Sequence, residues 1–234
     1  MFNPTHAVVN GGVSNLRIQD VDAIENTLFD DNGCLKVVDV EVIKSFDHDA
    51  LRFFMWKHGI YSIPTEQLIK SIRDLIGDPA KCVEIGAGNG VYGRALGIKM
   101  TDNYMQHPKN DAKFRGVVTS YIKQGQPLVK YGADVIEMDG KEAVSLNKPE
   151  TVFCSWVTQK YNRMHHERGG NMFGVDFNWI FNRKSVKRVV MVGNDLVHRY
   201  HPLIMHGDTV ALKSPHIISR ASQPHLDRLY ILDV

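Results

Sequence analysis

Three glycines at alternating positions, Gly86, Gly88 and Gly90, follow directly after a short apolar segment at residues 81–85. Glycine reaches positive φ angles without strain, and it lets a ligand approach the backbone where a Cβ atom would collide. The helix predicted at residues 89–96 would present free backbone N–H groups in its first turn. A strand, a glycine turn and a helix in this order are typical of a site that binds a phosphate or a nucleoside.

The residue that discriminates between such ligands is Glu84, which lies inside the end of the predicted strand. A carboxylate there would repel a pyrophosphate, whereas it suits a cationic ammonium or sulfonium group. The sequence therefore favours S-adenosylmethionine. Two alternatives remain: a purely structural turn, and a dinucleotide site, because Gly88, Gly90 and Gly93 also satisfy the pattern G-x-G-x-x-G. The dinucleotide is disfavoured because Asp102 follows those glycines too soon to bind a ribose in that register.

With these residues in place, the stretch 81–234 resembles the class I S-adenosylmethionine-dependent methyltransferase family. The first motif of that family, an acidic residue followed by G-x-G-x-G, is matched by Glu84 and the three alternating glycines. The resemblance implies that the whole turn binds the cofactor, including the intervening residues Ala87 and Asn89.

The resemblance also implies contacts to the ribose and to the adenine. The family places an acidic residue after its second strand, and Asp102, followed by Asn103, stands in that place. A carboxylate accepts two hydroxyl protons at once, which suits the ribose. The third strand of the family ends near a residue that touches the adenine amino group, and Met138, Asp139 and Gly140 fit that position.

The fourth strand of such enzymes delivers the residues nearest to the transferred methyl group, and here it ends in Ser155 and Trp156. Ser155 is also a candidate contact to the cofactor. Many amine methyltransferases carry Asn or Asp, Pro, Pro and an aromatic residue at this point, and this chain departs from that pattern. His165, beyond this strand, is a candidate general base. Upstream, Tyr61 and Thr65 lie in the segment that covers the methionine end of the cofactor in related folds.

Alternating strands and helices position these residues. Strands are predicted at residues 81–85, 98–101, 134–138, 151–157, 186–192, 209–212 and 229–232. Helical segments between them, among them 89–96 and 111–123, predict an α/β fold with a doubly wound, mostly parallel, seven-stranded sheet. The last two strands have little more than turns between them, so an antiparallel C-terminal edge is expected. The resemblance identifies this arrangement as the Rossmann-like methyltransferase fold.

The chain divides into two predicted parts: residues 1–78, an N-terminal extension with helices that pack on the core, and residues 79–234, the cofactor-binding domain. Asp47 and Thr65 are predicted to cap two helices of the extension. The glycine pair at residues 11–12, the turn-forming residues 30–33 and the alternating stretch 34–43 predict an arm with a hairpin in the residues up to about 44.

The composition is ordinary for a globular protein, with 43% hydrophobic and 23% charged residues and a formal net charge of +2. This near-neutral charge gives no support for a nucleic-acid partner, although basic clusters occur at residues 163–168 and 183–188. The N-terminal residues do not resemble a signal peptide, and no apolar run has the length of a membrane helix, so we expect a cytoplasmic protein without a membrane partner.

The three cysteines are far apart, which argues against a disulfide framework and against a zinc knuckle. His198 and His201 lie three residues apart, but only Asp195 is near them in the sequence, so no metal site is expected.

We therefore expect an enzyme that transfers a methyl group from S-adenosylmethionine to an unnamed small molecule or protein, with nucleic acid less favoured. The glycine-bearing stretch 168–174 is predicted to form a lid over the substrate. The alternative is a protein that binds S-adenosylmethionine without transferring its methyl group, either a cofactor-cleaving enzyme or an interaction module. The unusual end of the fourth strand and the lack of an evident base keep that alternative open. The sequence gives no indication of the oligomeric state.

Overall fold

The computed structural model describes residues 7–9, 12–14 and 16–234. Within them the helices are α1 (Ile18–Leu28), α2 (Val40–Lys44), α3 (His48–Lys57), α4 (Glu66–Ile76), α5 (Val91–Leu96), α6 (Val117–Lys123), α7 (Gly140–Asn147), α8 (Phe177–Phe181) and α9 (Pro202–Met205). The strands are β1 (Ala7–Val9), β2 (Gly12–Ser14), β3 (Ser62–Ile63), β4 (Cys82–Ile85), β5 (Lys99–Asp102), β6 (Ile136–Glu137), β7 (Thr151–Ser155), β8 (Arg188–Asn194), β9 (Val210–Lys213), β10 (Ile218–Ser219) and β11 (Asp227–Asp233). Short 3-10 turns occur at Pro79–Lys81, Pro108–Asn110, Arg163–Arg168 and Pro224–Leu226.

The main sheet has seven strands in the order β6-β5-β4-β7-β8-β11-β9. The neighbours from β6 to β8 are parallel, whereas β11 is antiparallel to both β8 and β9. Each of the seven predicted strands contributes to this sheet, so the predicted fold class is confirmed, including the antiparallel C-terminal edge. The parallel strands β4, β5 and β7 have their carboxyl ends at one edge of the sheet, where ligands bind in open α/β folds.

Both faces of the sheet are covered, because successive side chains of a strand point to opposite sides. Phe153 of β7 packs in a cluster with the N-terminal helices. Its neighbours Val152 and Cys154 pack in a second cluster with α7 and α8, which includes Ala143 and Phe177. The three central residues of the strand are therefore apolar, and they are buried on both faces of the sheet.

The N-terminal helices lie against one face of the sheet. Ile24 of α1, Phe54 of α3 and Ile72 of α4 share one buried cluster with Phe153 and Val190. These helices therefore complete the core of the sheet, although the division of the chain after residue 78 remains a prediction. The prediction about a signal peptide concerns the N-terminal residues, and residues 1–6 lie outside the described residues.

Two helices of this extension begin at their predicted caps. The Asp47 carboxylate accepts hydrogen bonds from the backbone N–H groups of Asp49 and Ala50, at 3.1 and 2.9 Å. The Thr65 hydroxyl accepts one from the N–H of Leu68 at 3.1 Å.

The hairpin predicted within the first 44 residues is confirmed, because β1 pairs antiparallel with β2, but part of the alternating stretch 34–43 is helical. Val40–Lys44 is the helix α2, and Asp39 caps it by accepting a hydrogen bond from the N–H of Glu41 at 2.8 Å. Val40 and Ile43 are both buried, three residues apart, which is the spacing of one helix face. An alternating pattern of this length is too short to exclude a helical turn that has a good cap. The short strands β1 and β2 pair antiparallel further upstream.

The helix predicted from residue 111 begins only at Val117. Arg115 and Gly116 have φ values of 56° and 81°, which interrupt a right-handed helix. The Asp111 side chain nevertheless caps α6, because it accepts a hydrogen bond from the N–H of Val118 at 2.8 Å.

A small two-stranded sheet ties the segment before α4 to the C-terminal part of the chain. Strand β3 pairs antiparallel with β10, with Ser62 opposite Ser219. The pairing continues to Tyr61, whose carbonyl accepts a hydrogen bond from the N–H of Arg220 at 3.1 Å. Tyr61 and Arg220 are thereby held side by side.

Candidate cofactor site

The glycine turn between β4 and α5 has the backbone geometry that only glycine adopts without strain. Gly86, Gly88 and Gly90 have φ values of 66°, 55° and 77°. A Cβ atom on Gly86 would lie 2.5 Å from Cγ2 of Val157, and one on Gly88 would lie 3.3 Å from Cγ1 of Val129. The turn therefore depends on glycine for its conformation, and at Gly86 for the space as well.

A cavity opens beside this turn at the carboxyl ends of β4, β5 and β7, and we call it the first cavity. It brings together most of the predicted site residues: Tyr61, Glu84, Gly86, Ala87, Gly88, Asn89, Asp102, Asn103, Met138, Gly140, Ser155 and Trp156. Residues that are far apart in the sequence meet here because parallel strands deliver their ends to one edge. Thr65, Gly90, Asp139 and His165 do not line the first cavity.

Glu84 lies at the base of the first cavity, and its side chain is only 1% exposed. Burial raises the pKa of its carboxyl to about 8. Its Oε2 atom has no hydrogen-bond partner among the described residues. Gly93 of α5 closes the space above it, since a Cβ atom there would lie 2.5 Å from Oε2. A buried acceptor without a partner is costly, and a cationic ligand group would satisfy it.

Asp102 ends β5 on the other side of the turn. Its Oδ2 atom accepts a hydrogen bond from the N–H of Gly88 at 3.0 Å, and Oδ1 accepts one from the N–H of Tyr104 at 2.9 Å. Burial raises the pKa of this carboxyl. A carboxylate has about four acceptor positions, so it keeps capacity for two ligand hydroxyls while it fixes the turn.

The residues after β6 divide into two groups. Met138 and Gly140 line the first cavity, and the N–H of Met138 donates to the carbonyl of Asp102 at 2.8 Å. The Asp139 carboxylate is instead the N-cap of α7, where it accepts hydrogen bonds from the N–H groups of Lys141 and Glu142.

At the end of β7, Ser155 belongs to a chain of hydroxyl groups. Its Oγ atom lies 3.1 Å from Oγ of Ser62, which lies 2.8 Å from the hydroxyl of Tyr92. Burial raises the pKa of Tyr92, so this hydroxyl stays protonated. The chain holds β3, α5 and β7 together at the wall of the first cavity.

Trp156, the next residue, has a φ of 58°, which is a strained conformation for an aromatic residue. Its ring stacks on Tyr61, with 6.3 Å between the ring centroids, and meets the His198 ring edge-on at 5.2 Å. Its Nε1 atom is buried and finds no partner in the described part of the chain. Such strain persists where the surroundings impose it, and it is concentrated at functional sites.

The remaining predicted residues lie elsewhere. Thr65 is buried, and its hydroxyl donates to the carbonyl of His216 at 3.0 Å while it caps α4. Gly90 begins α5, where a Cβ atom would lie 2.9 Å from Val135. The Nδ1 atom of His165 lies 3.4 Å from Glu167 in a 3-10 turn, away from the first cavity.

Two further segments line the first cavity, and only the second of them carried a signal in the sequence. One is the loop before β6, where the rings of Tyr104 and Tyr131 stack at 4.1 Å. The other comprises residues 171–175, which overlap the predicted lid and are tied down where Nδ2 of Asn103 donates to the carbonyl of Phe173 at 3.1 Å. Both are irregular loops, whose course depends on tertiary contacts rather than on local pattern.

His198 and His201 are both buried, and burial lowers their pKa values to about 4 and about 3. Their Nδ1 atoms accept hydrogen bonds from the N–H groups of Asn194 and Leu203. Among the residues with described positions, no group of three or more His, Cys, Asp or Glu side chains could hold a metal ion.

The strand order, the antiparallel C-terminal edge, the glycine turn after β4 and the acidic residue that ends β5 together define the class I methyltransferase fold, as the resemblance implied. No helix within the described ranges is long and apolar enough to cross a membrane.

Comparisons with known proteins give distant likenesses only. No protein-family model and no curated protein sequence matches this chain. A structure of the 23S rRNA methyltransferase ErmE superposes with a TM-score of 0.37 and 13% identity, over 72% of this chain and 67% of that one. A human methyltransferase 10 domain containing protein gives a TM-score of 0.37 and 12% identity, over 94% and 99% of the two chains. A Streptococcus agalactiae protein of the NADB-Rossmann superfamily gives 0.35 and 12%, over 70% and 66%. Likenesses this distant carry no information on substrate or mechanism.

Proposed function

We propose that this protein is an S-adenosylmethionine-dependent methyltransferase. The observation that carries the proposal is Glu84, a fully buried carboxyl beneath the glycine turn whose Oε2 atom lacks a partner in the described residues. A cationic amino group would supply that partner and favour the ionised carboxylate, whereas a pyrophosphate would oppose its ionisation. The buried carboxyl therefore fits the ammonium group of S-adenosylmethionine.

In this proposal, different residues of the first cavity bind different parts of the cofactor. Glu84 binds the ammonium group of the methionine end, and the backbone of the glycine turn allows close approach. Asp102 accepts the two ribose hydroxyls, and Met138 borders the adenine. Tyr61 and the hydroxyl chain of Ser155 bound the side towards the acceptor.

S-adenosylmethionine supplies an electrophilic methyl group on a positively charged sulfur. An acceptor lone pair would take this methyl group while the carbon–sulfur electron pair stayed on sulfur, and a proton of the acceptor would pass to the bulk solvent as the product leaves. Little further chemistry is required of the protein, so its contribution is positioning and exclusion of water. Ser155, Trp156 and residues 171–175 form the walls that do this. His165 does not line the first cavity, so no role as a base is proposed for it.

Two measurements test the proposal. Isothermal calorimetry should detect binding of S-adenosylmethionine to the purified protein, and labelled cofactor should transfer its methyl group to a component of a cell extract. NADH should not bind. Tight binding of NADH without binding of S-adenosylmethionine would overturn the proposal.

The departure of β7 from the Asn/Asp-Pro-Pro pattern favours one alternative, a protein that binds S-adenosylmethionine without transferring its methyl group. Cleavage of the cofactor would release methylthioadenosine or homoserine lactone, which chromatography distinguishes from S-adenosylhomocysteine. Cofactor binding without any of these products would indicate an interaction module.

A further inference from the structure

A second cavity lies beside the first one, at the carboxyl ends of β7 and β8. Its lining includes Trp156 and Thr158 after β7, residues 167–170, and Leu196 to Tyr200 after β8. Tyr61, Trp156 and Thr158 line both cavities, so the two share a wall at the end of the fourth strand of the fold. A ligand in the second cavity would therefore lie next to the place proposed for the methyl group.

Flat side chains form the shared wall. The Arg220 guanidinium lies 4.0 Å from the centre of the Tyr61 ring, Tyr61 stacks on Trp156, and Trp156 meets His198 edge-on. Planar surfaces of this kind bind nucleobases by stacking. The buried Nε1 atom of Trp156 offers in addition a hydrogen-bond donor that is free among the described residues.

Two arginines in or near this site have no acidic partner in the described chain: Arg199 lines the second cavity, and Arg220 lines neither cavity but packs on Tyr61. The Arg220 Nη1 atom is buried without a hydrogen-bond partner. Arg199 is exposed at the rim, and its guanidinium contacts the Tyr200 ring at 5.0 Å. A guanidinium stacked on a tyrosine keeps its N–H groups free for a phosphate or a carboxylate.

The charge near the second cavity is also more positive than the total charge suggests. The segments 160–168 and 195–200 contain four basic residues, Lys160, Arg163, Arg168 and Arg199, and two acidic ones, Asp195 and Glu167. Of these, Arg168, Arg199 and Glu167 line the second cavity. Exposed apolar side chains alternate with these charges, among them Met164 and Val197. The distribution of charge, and not its sum, decides whether a surface attracts a polyanion.

We propose that the second cavity binds the methyl acceptor and that this acceptor is a nucleotide, with its base against the wall of Tyr61 and Trp156 and its phosphate on Arg199. The acceptor role rests on the function proposed above, whereas nucleotide binding can be measured without it. The nucleotide could be free or part of a single-stranded nucleic acid, because the chemistry of recognition is the same.

Fluorescence anisotropy with labelled, mixed-sequence single-stranded RNA and DNA oligonucleotides tests this proposal. Arg199→Ala should weaken binding about tenfold, the effect of losing a charge-assisted contact. Arg220→Ala should also weaken binding, because Arg220 packs on the ring of Tyr61, which lines both cavities. Arg183→Ala is the matched control, since the Arg183 guanidinium stacks on Trp179 at 4.2 Å, and neither residue lines a cavity. Arg220→Lys keeps the positive charge, so it separates the effect of charge from that of the guanidinium. Arg199 is exposed, so its replacement does not disturb the packing of the protein.

Nucleoside monophosphates that compete as well as the oligonucleotides would identify a free nucleotide as the acceptor, and weak competition would identify a nucleic acid. Absence of binding by all probes would overturn the proposal, as would equal binding by polyglutamate or equal affinities of the Arg220, Arg199 and Arg183 variants. Binding of S-adenosylmethionine is measured separately, by calorimetry on the same proteins. If the unmodified protein does not bind S-adenosylmethionine, the proposed function is contradicted, whereas nucleotide binding is not.

Discussion

Glu84 combines two properties that rarely occur together, complete burial and an acceptor oxygen without a partner in the described residues. The charged and titratable groups that act on it are Asp102, which disfavours its ionised form, and Arg94, which favours it. Tyr92, Cys82 and Cys154 are the other titratable groups close enough to be coupled to it. Burial outweighs Arg94, which is engaged with Asp134 at 2.7 Å.

The first prediction concerns the pH dependence of cofactor binding. Because the pKa of Glu84 is raised to about 8, the free protein holds this group protonated at neutral pH, and binding of an ammonium group requires its ionisation. Affinity for S-adenosylmethionine should therefore rise with pH up to about 8, where the ligand amino group itself begins to lose its proton.

Glu84→Gln should remove this pH dependence and weaken binding about tenfold or more, as calorimetry at several pH values would measure. An unchanged pH profile in Glu84→Gln would show that another group governs binding.

Asp102→Ala should weaken cofactor binding by about 1.5–3 kcal/mol, because a charge-assisted contact to the ribose is lost. Asp102 also accepts hydrogen bonds from Gly88 and Tyr104, so Asp102→Asn, which keeps one acceptor oxygen, is a useful second variant. Asp208→Ala is the control, since Asp208 is 85% exposed and lines neither cavity. Equal affinities of Asp102→Ala and Asp208→Ala would place the ribose elsewhere.

At the scale of elements, α5 is packed directly onto the buried Glu84 and on Met100. Gly93 is the residue that permits this approach, because a Cβ atom would collide with both side chains. A helix normally gains about 1 kcal/mol when alanine replaces glycine, so here packing and intrinsic propensity act in opposite directions.

We expect packing to prevail, with Gly93→Ala lowering the free energy of unfolding by about 1–3 kcal/mol in urea denaturation. Gly207→Ala should change it by less than about 0.5 kcal/mol, because no atom lies within 4 Å of the added Cβ. A stabilised Gly93→Ala protein would mean that α5 can move away from β4.

Element boundaries show where local sequence decides. The caps at Asp47 and Thr65 were predictable, because a cap needs only its own side chain and the next three residues. The start of α6 was not, since the positive φ of Arg115 reflects its surroundings rather than its residue type. The end of the alternating stretch 34–43 is helical because Gln67 of α4 and the cap Asp39 together favour a helical turn: Nε2 of Gln67 donates to Oδ2 of Asp39 at 2.5 Å.

For the whole molecule, buried ionisable groups set the pH range of stability. Glu84 has a folded-state pKa above its ordinary value, so the folded state binds more protons and stability falls as pH rises from about 4.5 to about 8. His198 and His201 have lowered pKa values, so the unfolded state binds more protons and stability falls as pH drops from about 6.5 to about 4.

The ligand-free protein should therefore be most stable in mildly acidic solution, with a loss on the order of 2–4 kcal/mol towards pH 8. Urea denaturation at a series of pH values measures this loss. Glu84→Gln should abolish the alkaline loss and leave the acidic loss unchanged. An alkaline loss of equal size in both proteins would assign it to other groups.

The sequence by itself determined the strand pattern, the fold class and the core of the candidate site. These are local properties: apolar runs define β4 and β7, and the alternating glycines with Glu84 define a turn that suits a cationic nucleoside. The tertiary structure decided which of the remaining polar residues reach the cavity. The Asp139 carboxylate caps α7, and the buried Thr65 hydroxyl donates to the carbonyl of His216. Trp156 has a strained backbone conformation on the shared wall. Such outcomes depend on contacts between residues distant in the chain, such as Tyr61 with Arg220, and no local pattern encodes them.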